Sequence, residues 1–247
     1  MRPRLAVTVG IVVALVSLGA CSVKRPVVLP PPADTGPQPV YVAVGASETT
    51  GQGSDQPLRD AWPRVLHRTA LPAGSVFVNM GIPGATVAQA LAEELNQALA
   101  VRPNLVTVWL NVNDMVRGVS AADYERQLDT LVKGLRRGGA TRVLVANAPP
   151  LDRLPAVVNG RSTGNVPSPE AVAQLTDAYN AAVTRVVDRQ GAFLVDLHAA
   201  GLAARAAGTE AGLVSVDGFH PSTAGHAAVA AAFADVLRSS GPLSPPG

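Results

Sequence analysis

Short apolar runs alternate with amphipathic stretches along this chain, and this alternation restricts its fold more than any other feature. Each run is bounded by glycine, proline or polar residues, which is typical of a buried strand. The runs cover residues 40–44, 75–80, 105–110, 142–146 and 192–197. Because strand–helix alternation is typical of a parallel sheet covered on both faces, we predict a three-layer α/β/α sandwich. Five runs favour the flavodoxin-like type, with about five parallel strands.

Four stretches between and after these runs carry apolar residues at helical spacing. In the first, Val87, Leu91, Leu95 and Leu99 recur every four residues. The others cover residues 128–135, 172–186 and 229–237. Such stripes predict helices that pack one face against the sheet.

The first residues are typical of an export signal. Met1–Arg4 is short and basic, and residues 5–20 carry no charge. That uncharged run is slightly long for the apolar central region of a signal peptide and short for a bilayer span, so an uncleaved anchor is the alternative. Leu18-Gly19-Ala20-Cys21 resembles the bacterial lipobox, whose cysteine becomes the lipid-bearing first residue after cleavage. We therefore expect removal of residues 1–20 and an extracytoplasmic protein anchored to the bacterial cell membrane through a lipid on Cys21.

Composition limits what the rest of the chain does. Proline-rich residues 21–38 predict an extended tether and residues 241–247 a flexible tail, which leaves one domain at 39–240. Hydrophobic residues make up 47% and charged residues 15%, which excludes general disorder. Without Arg2 and Arg4, 18 basic residues balance 18 acidic ones, so no nucleic-acid partner is expected. A single cysteine excludes an internal disulfide and a multi-cysteine zinc site. The sequence does not fix the oligomeric state, and a monomer is our expectation.

Polar, glycine-rich segments follow three predicted strands and precede the last helix. They are residues 45–53, 81–86, 111–114 and 217–221. In an open parallel sheet, ligands bind at the carboxyl ends of the strands. We therefore expect these four segments to meet at one edge and to form the site.

Together these segments supply the groups that acyl transfer requires. Ser47, in a strand-to-helix turn, is the candidate nucleophile, and His220 is the candidate base. Asp217 precedes His220 by three residues and can accept the Nδ1–H of its imidazole. The N–H groups of Ser47 and Gly84 and the side-chain amide of Asn113 are candidate donors to an oxyanion.

Each of these residues also has a structural interpretation. Ser47 is a possible helix N-cap, and Asn113 with Asp114 can cap the next helix. Asp217 and His220 can form a structural loop pair. The ordered set of serine, glycine, asparagine and Asp-x-x-His, one element per segment, favours the catalytic interpretation.

This ordered set resembles the SGNH, or GDSL-type, hydrolases. Gly45-Ala46-Ser47, with Gly51 and Gly53, is similar to their first sequence block, and residues 79–86 are similar to the second. Asn113-Asp114 matches the end of the third block, and residues 217–221, continuing through Gly225, match the last. Ala61-Trp62-Pro63 resembles the start of the first long helix. The resemblance spans residues 40–238 and implies a flavodoxin-like sheet, a Ser47-His220-Asp217 triad and ester hydrolysis with no metal or other cofactor.

Three positions depart from that pattern. Ala46 replaces the usual aspartate, which removes an acceptor from the nucleophile loop. Asn111 replaces a glycine, and its side chain is a possible substrate contact. Glu48 stands where the family carries an apolar residue. It either disfavours anionic substrates or is a solvated surface charge, and the sequence slightly favours the latter. Phe219, with Ile82, Val112 and Met115, suggests an apolar wall beside the site and is a further possible substrate contact.

Other polar residues offer weaker candidates. Asp196 and His198 imitate a catalytic pair but are expected to be structural, and His67 and His226 have no evident partner. A metal site of Asp114, Asp217 and His220 lacks the tight ligand spacing typical of such sites, so no metal is expected. The long connection 149–167 is either a lid or specificity wall or a surface loop.

The sequence therefore predicts a lipid-anchored serine esterase that hydrolyses acyl or acetyl esters. Two alternatives remain. The same residues can transfer acyl groups to or from envelope glycans or lipids, since only the acceptor differs. The domain can also be a decayed binding module in the envelope. The expected partners are a small ester or acylated envelope substrate, and the membrane itself.

Overall fold

A five-stranded parallel sheet forms the centre of the domain. The computed structural model describes residues 38–160 and 167–243. Within them the strands are β1 (Val40–Gly45), β2 (Val76–Asn79), β3 (Leu105–Trp109), β4 (Arg142–Ala146) and β5 (Phe193–Val195). Their order is β2-β1-β3-β4-β5, with every pair parallel. This is the flavodoxin-like order, so the predicted fold is confirmed.

Helices connect the strands and cover both faces of the sheet. They are α1 (Ser47–Thr50), α2 (Pro57–Asp60), α3 (Trp62–Ala70), α4 (Val87–Gln89), α5 (Leu95–Ala100), α6 (Val112–Val116), α7 (Ala121–Arg136), α8 (Pro155–Gly160), α9 (Pro169–Gln190), α10 (Leu197–Ala206) and α11 (Thr223–Ser239). A π-helical segment, Ala90–Glu94, joins α4 to α5, and a 3₁₀ turn lies at Glu210–Leu213. No helix within the described ranges is both long and apolar enough to cross a bilayer.

Alternate strand residues feed two separate apolar cores, because successive side chains of a strand point to opposite faces. Val42 and Val44 of β1 pack in one core with α4, α5, α7 and α9. Tyr41 and Ala43 pack in the other core with α3, α10 and α11. The sheet is therefore the middle of three layers.

The fifth strand is shorter than its apolar run suggests. The sequence predicts a strand over 192–197, whereas β5 ends at Val195 and α10 begins at Leu197. Asp196 lies between them and accepts a hydrogen bond from the Ala199 N–H at 2.9 Å. An N-cap of this kind starts a helix despite the apolar residue that follows.

The segments predicted at both termini fall outside the described residues, apart from the residues nearest the domain. The signal peptide 1–20, Cys21 and almost all of the tether 21–38 lie there, as does the end of the predicted tail.

Candidate active site

The nucleophile candidate sits where β1 passes into α1. Ala46 takes φ −111° and ψ −145°, and Ser47 is the first residue of the short helix that follows. Gly45 is required here because a Cβ at that position would collide with the side chain of Thr49. Gly51, with φ 95°, ends the helix. The turn holds Ser47 at the carboxyl edge of the sheet, with only 6% of the residue exposed.

Ser47, His220 and Asp217 form a continuous hydrogen-bonded chain. Ser47 Oγ lies 3.0 Å from His220 Nε2. His220 Nδ1 lies 2.7 Å from Asp217 Oδ2. With Nδ1 protonated and donating to the carboxylate, Nε2 is left to accept the serine proton.

The loop around Asp217 is built to hold this carboxylate ionised. Its Oδ1 accepts hydrogen bonds from Ser215 Oγ at 2.6 Å and from the N–H groups of Phe219 and His220, both at 2.9 Å. Partial burial opposes ionisation, but these donors outweigh it and hold the pKa of Asp217 well below its usual range. The loop is closed by the Ser215 N–H, which donates to the His220 carbonyl at 2.8 Å.

Gly84 and Asn113, the other candidate oxyanion donors, lie on adjoining loops. Gly84 has φ 79°, a conformation that favours glycine. Its carbonyl accepts a hydrogen bond from Arg117 Nη2 at 2.9 Å. Asn113 Nδ2 donates to the Ala85 carbonyl at 3.0 Å, which uses one of its two hydrogens and fixes the amide. The other hydrogen remains for a ligand.

Asp114 couples these two loops. Its buried carboxylate accepts the Val87 N–H at 3.3 and 3.1 Å, one distance to each oxygen. Burial raises the pKa of Asp114 to about 6. The residue therefore joins the loop after β3 to the start of α4. Asp114 does not cap a helix that follows it, as the alternative interpretation of the sequence had it, but bonds to the first residue of α4, which precedes it in the chain.

An apolar pocket of about 150 Å³ adjoins His220. Its walls include side chains from the predicted active-site segments, the connection after β4, α10 and α11. They include Glu48, Trp109, Val112, Pro149, Pro150, Leu151, Leu154, Leu197, Leu213, Phe219 and Val229. The first part of the long connection therefore lines this pocket, and its role as a specificity wall stays a prediction. Residues 161–166 lie outside the described chain. Ile82 and Met115, also predicted as wall, pack with the apolar core instead.

Glu48 and Phe219 both lie in this pocket. Phe219 contacts the His220 ring edge-to-face, with centroids 4.9 Å apart. Glu48 is 8% exposed, and its Oε2 lies 3.5 Å from Ser47 Oγ. The interpretation of Glu48 as a solvated surface charge is therefore wrong. The short α1 turn carries residue 48 inward together with the nucleophile.

Asn111 lies at the edge of the site but is turned toward the sheet. It is buried, and its Nδ2 donates to the Ala146 carbonyl at the end of β4 at 3.4 Å. It does not line the apolar pocket. Contact with a substrate stays a prediction for this residue.

Glu94 is a residue that the sequence analysis missed. It lies in the π-helical segment, is buried, and its Oε2 accepts the Gly45 N–H at 3.0 Å. A buried acceptor thus reaches the nucleophile turn in a chain that lacks the usual aspartate at Ala46. Burial raises the pKa of Glu94 to about 8. The sequence feature that could have revealed Glu94 is its position, seven residues after Val87 and so on the apolar face of the predicted helix.

His226 and His67 each form hydrogen bonds through their imidazole rings. His226 Nδ1 accepts the Trp62 N–H at 3.3 Å, and its Nε2 lies 3.0 Å from the Gln52 carbonyl. This pattern requires a neutral ring protonated at Nε2, and burial lowers the pKa of His226 accordingly. His67 Nε2 lies 2.9 Å from the Ser75 carbonyl. The structure thus gives His226 and His67 the partners that the sequence alone did not reveal.

Asp196 and His198 do not form a catalytic pair. Asp196 caps α10 and accepts from Asn147 Nδ2 at 2.8 Å. The His198 N–H donates to Asn147 Oδ1 at 2.9 Å. The predicted structural role is confirmed for Asp196. Across residues 38–160 and 167–243, no three acidic, histidine or cysteine side chains are grouped as a metal site would require.

Residues 43–228 match the model of the GDSL-like Lipase/Acylhydrolase family. The chain belongs to this family. It is therefore a GDSL-type hydrolase, as the sequence motifs predict. This enzyme family includes esterases and lipases. No curated protein matches the chain significantly.

Solved structures of GDSL-type and related hydrolases share the fold. A lipase/acylhydrolase from Enterococcus faecalis superposes with a TM-score of 0.64 at 21% identity, covering 84% of this chain and 98% of its own. A variant of Axe2, an acetyl-xylooligosaccharide esterase from Geobacillus Stearmophilus, gives 0.63 at 23% identity, covering 82% and 95%. The psychrotrophic esterase EstA from Pseudoalteromonas sp., inhibited by monoethylphosphonate, gives 0.61 at 17% identity, covering 81% and 97%. At these identities the similarity establishes the fold.

Proposed function

We propose that this GDSL-type hydrolase is a serine esterase that cleaves carboxylic esters with Ser47, His220 and Asp217. The observation that carries the proposal is the chain of contacts from Ser47 Oγ to His220 Nε2 at 3.0 Å and from His220 Nδ1 to Asp217 Oδ2 at 2.7 Å. A hydroxyl, an imidazole and an ionised carboxylate in this order are what an activated serine requires.

In the first half-reaction, Ser47 Oγ attacks the ester carbonyl carbon while His220 Nε2 takes the hydroxyl proton. The Asp217 carboxylate stabilises the imidazolium that forms. The N–H groups of Ser47 and Gly84 and the free Asn113 amide hydrogen stabilise the oxyanion. His220 then protonates the ester oxygen, the alcohol leaves, and the acyl group remains on Ser47.

The second half-reaction repeats these steps with water. His220 Nε2 takes a proton from water as the water attacks the acyl carbonyl. The tetrahedral intermediate is held by the same donors, and collapse with proton return to Ser47 Oγ releases the acid. No cofactor enters either half-reaction.

The decisive experiment compares wild type and Ser47→Ala on nitrophenyl esters from acetyl upward. We expect turnover by wild type, loss of turnover in Ser47→Ala, and a best chain length set by the pocket of about 150 Å³. Ser239→Ala, at the end of α11, is the matched control and should keep wild-type activity.

Labelling with a phosphonate probe separates an enzyme from a binding module. The structural neighbour EstA is described as inhibited by monoethylphosphonate, which makes this probe class a suitable choice. A folded wild type that takes up no label and cleaves no ester would contradict the proposal and favour the binding module.

We further propose that the protein is held at the outer face of the bacterial cell membrane by a lipid on Cys21. The support is the lipobox-like Leu18-Gly19-Ala20-Cys21 sequence. Full-length protein expressed in a bacterium should fractionate with membranes and incorporate a labelled fatty acid. Cys21→Ala should abolish the lipid label, and a label that persists in this variant would contradict the proposal.

A further inference from the structure

Glu48 is a buried carboxyl group beside the proposed nucleophile. Its Oε2 lies 3.5 Å from Ser47 Oγ, and it lines the apolar pocket with Phe219 and His220. In the part of the chain that the structure describes, no lysine or arginine forms an ion pair with it. An unpaired carboxylate at such a depth is costly, and burial accordingly raises the pKa of Glu48.

The other carboxylate of the pocket is already neutralised. Glu210 also lines the pocket, but its Oε1 lies 2.8 Å from Arg205 Nη2. Glu48 is therefore the acidic group of this pocket that a ligand can still pair with.

The position of Glu48 limits where a ligand's charge must lie. In the acyl-enzyme, a nitrogen on the carbon adjacent to the carbonyl carbon is three bonds from Ser47 Oγ. With bonds of about 1.5 Å, that nitrogen lies about 3–4 Å from Oγ. Glu48 Oε2 is itself 3.5 Å from Oγ. A charge-assisted hydrogen bond from the ligand's ammonium nitrogen to Glu48 Oε2 is therefore within reach. An ammonium group close to the ester oxygen on the alcohol side reaches the same region before the alcohol leaves.

The rest of the pocket suits a small apolar group. Trp109, Leu151 and Phe219 are among its walls, and its volume is about 150 Å³. A dry cavity of about this size accommodates a molecule such as benzene. Aromatic walls also favour weakly hydrated cations.

We propose that Glu48 selects esters carrying an ammonium group within two or three bonds of the ester linkage, together with a small apolar group that fills the pocket. The ammonium belongs either to the acyl half, as in an amino acid ester, or to the alcohol half, as in a choline ester. Both carry a positive charge that can pair with the Glu48 carboxylate. The primary ammonium of an amino acid ester can in addition donate a hydrogen bond, whereas the quaternary ammonium of a choline ester pairs through its charge alone. This proposal rests on the esterase activity proposed above.

Two pairs of near-isosteric esters test the proposal. Leucine methyl ester is compared with methyl 4-methylpentanoate, and butyrylcholine with 3,3-dimethylbutyl butyrate, with kcat/KM followed by acid release. Wild type should prefer the cationic member of at least one pair by about tenfold. For leucine methyl ester this is the effect of one charge-assisted hydrogen bond, and for butyrylcholine it is the effect of a charge pair without a hydrogen bond. The pair that shows the preference identifies the half of the ester that carries the charge.

Variants then assign the preference to Glu48. Glu48→Gln keeps the size of the side chain and removes its negative charge, so the cationic-to-neutral ratio should fall to near one. Asp235→Asn removes a charge from an exposed carboxylate of α11 and should keep the wild-type ratio. Thermal melting checks that each variant is folded. If Glu48→Gln does not fold, the wild-type ratios still decide.

Equal rates on both members of both pairs, or a preference that survives in Glu48→Gln, would overturn the role of Glu48. If neutral esters are cleaved in a Ser47-dependent way without any preference for the cation, only this inference fails. If no ester is cleaved at all, the proposed esterase function fails with it.

Discussion

Asn113 offers the sharpest test of the proposed oxyanion site. Its amide is fixed by the bond to the Ala85 carbonyl, so its second hydrogen has a defined direction. Asn113→Ala should lower kcat by about 10²–10³, the usual effect of removing one oxyanion donor, with a smaller change in KM. Asn96→Ala, on the exposed side of α5, is the matched control for an asparagine truncation. An unchanged kcat in folded Asn113→Ala protein would remove this residue from the role.

Glu94 links local protonation to the stability of the nucleophile turn. The pKa of this carboxyl is raised from 4.5 to about 8 by burial. Between these values the folded state holds a proton that the unfolded state releases, so the free energy of unfolding falls as pH rises. The slope from this one group is at most about 1.4 kcal/mol per pH unit.

Glu94→Gln should therefore gain stability relative to wild type as pH rises from 5 toward 8. The raised pKa of Asp114 and the lowered pKa of His226 affect both proteins alike and cancel in the difference. Urea unfolding of both proteins at several pH values measures that difference. Parallel stability profiles would show that Glu94 does not hold its proton in the folded state.

Helices α7 and α9 are joined by two kinds of contact of unequal weight. Leu128 is fully buried between them and the sheet. On the outside, Glu125 pairs with Arg185 at 2.7 Å and with Arg189 at 3.0 Å. Exposed ion pairs are screened by water and salt, whereas a truncated core residue leaves a cavity.

Leu128→Ala should accordingly lower the free energy of unfolding by about 2–5 kcal/mol. Glu125→Gln should change it far less, and the difference should shrink further at high salt. Urea unfolding of both variants compares them directly. A larger loss for Glu125→Gln would contradict this order and make the surface pairs the dominant link.

The sequence predicts the strands and the main helices because burial of one face against the core determines the spacing of their apolar residues. Val87 to Leu99 illustrates the limit of that approach. Its four-residue stripe predicts one helix, but the chain forms α4, a π-helical segment and α5. The π turn contains one more residue than an α-helical turn, and Glu94 at its end points inward. The spacing of apolar residues does not predict that a carboxyl group is buried at this position.

The site was predictable wherever a residue type is tied to its chemistry. Ser47, Asp217 and His220 were identified as candidates in this way, and the structure brings them together. Two supporting partners were missed. Ser215, two residues before Asp217 in the same loop, donates a hydrogen bond to its carboxylate, and Arg117 donates one to the Gly84 carbonyl across a long sequence separation. The orientation of Glu48 was also missed, because a short α1 turn buries residue 48 where a longer surface helix would expose it.

The site unites the two ends of the domain. Ser47 follows the first strand, whereas Asp217 and His220 immediately precede the last helix, and 173 positions separate Ser47 from His220. The core on that side of the sheet likewise depends on Trp62 of α3 stacking on Phe233 of α11, with ring centroids 4.4 Å apart. Folding is slower when many contacts join residues that are far apart in the sequence, because the chain between them must first be closed into a loop.

The separation has a consequence for the growing polypeptide. A ribosome that has made the first two hundred residues has supplied the proposed nucleophile Ser47 and the proposed oxyanion donors, but not the imidazole of His220. On the proposed mechanism, ester hydrolysis therefore begins only after the segment around His220 has been synthesised and has docked beside Ser47. The nascent chain is then inactive toward esters until that part of the fold is in place.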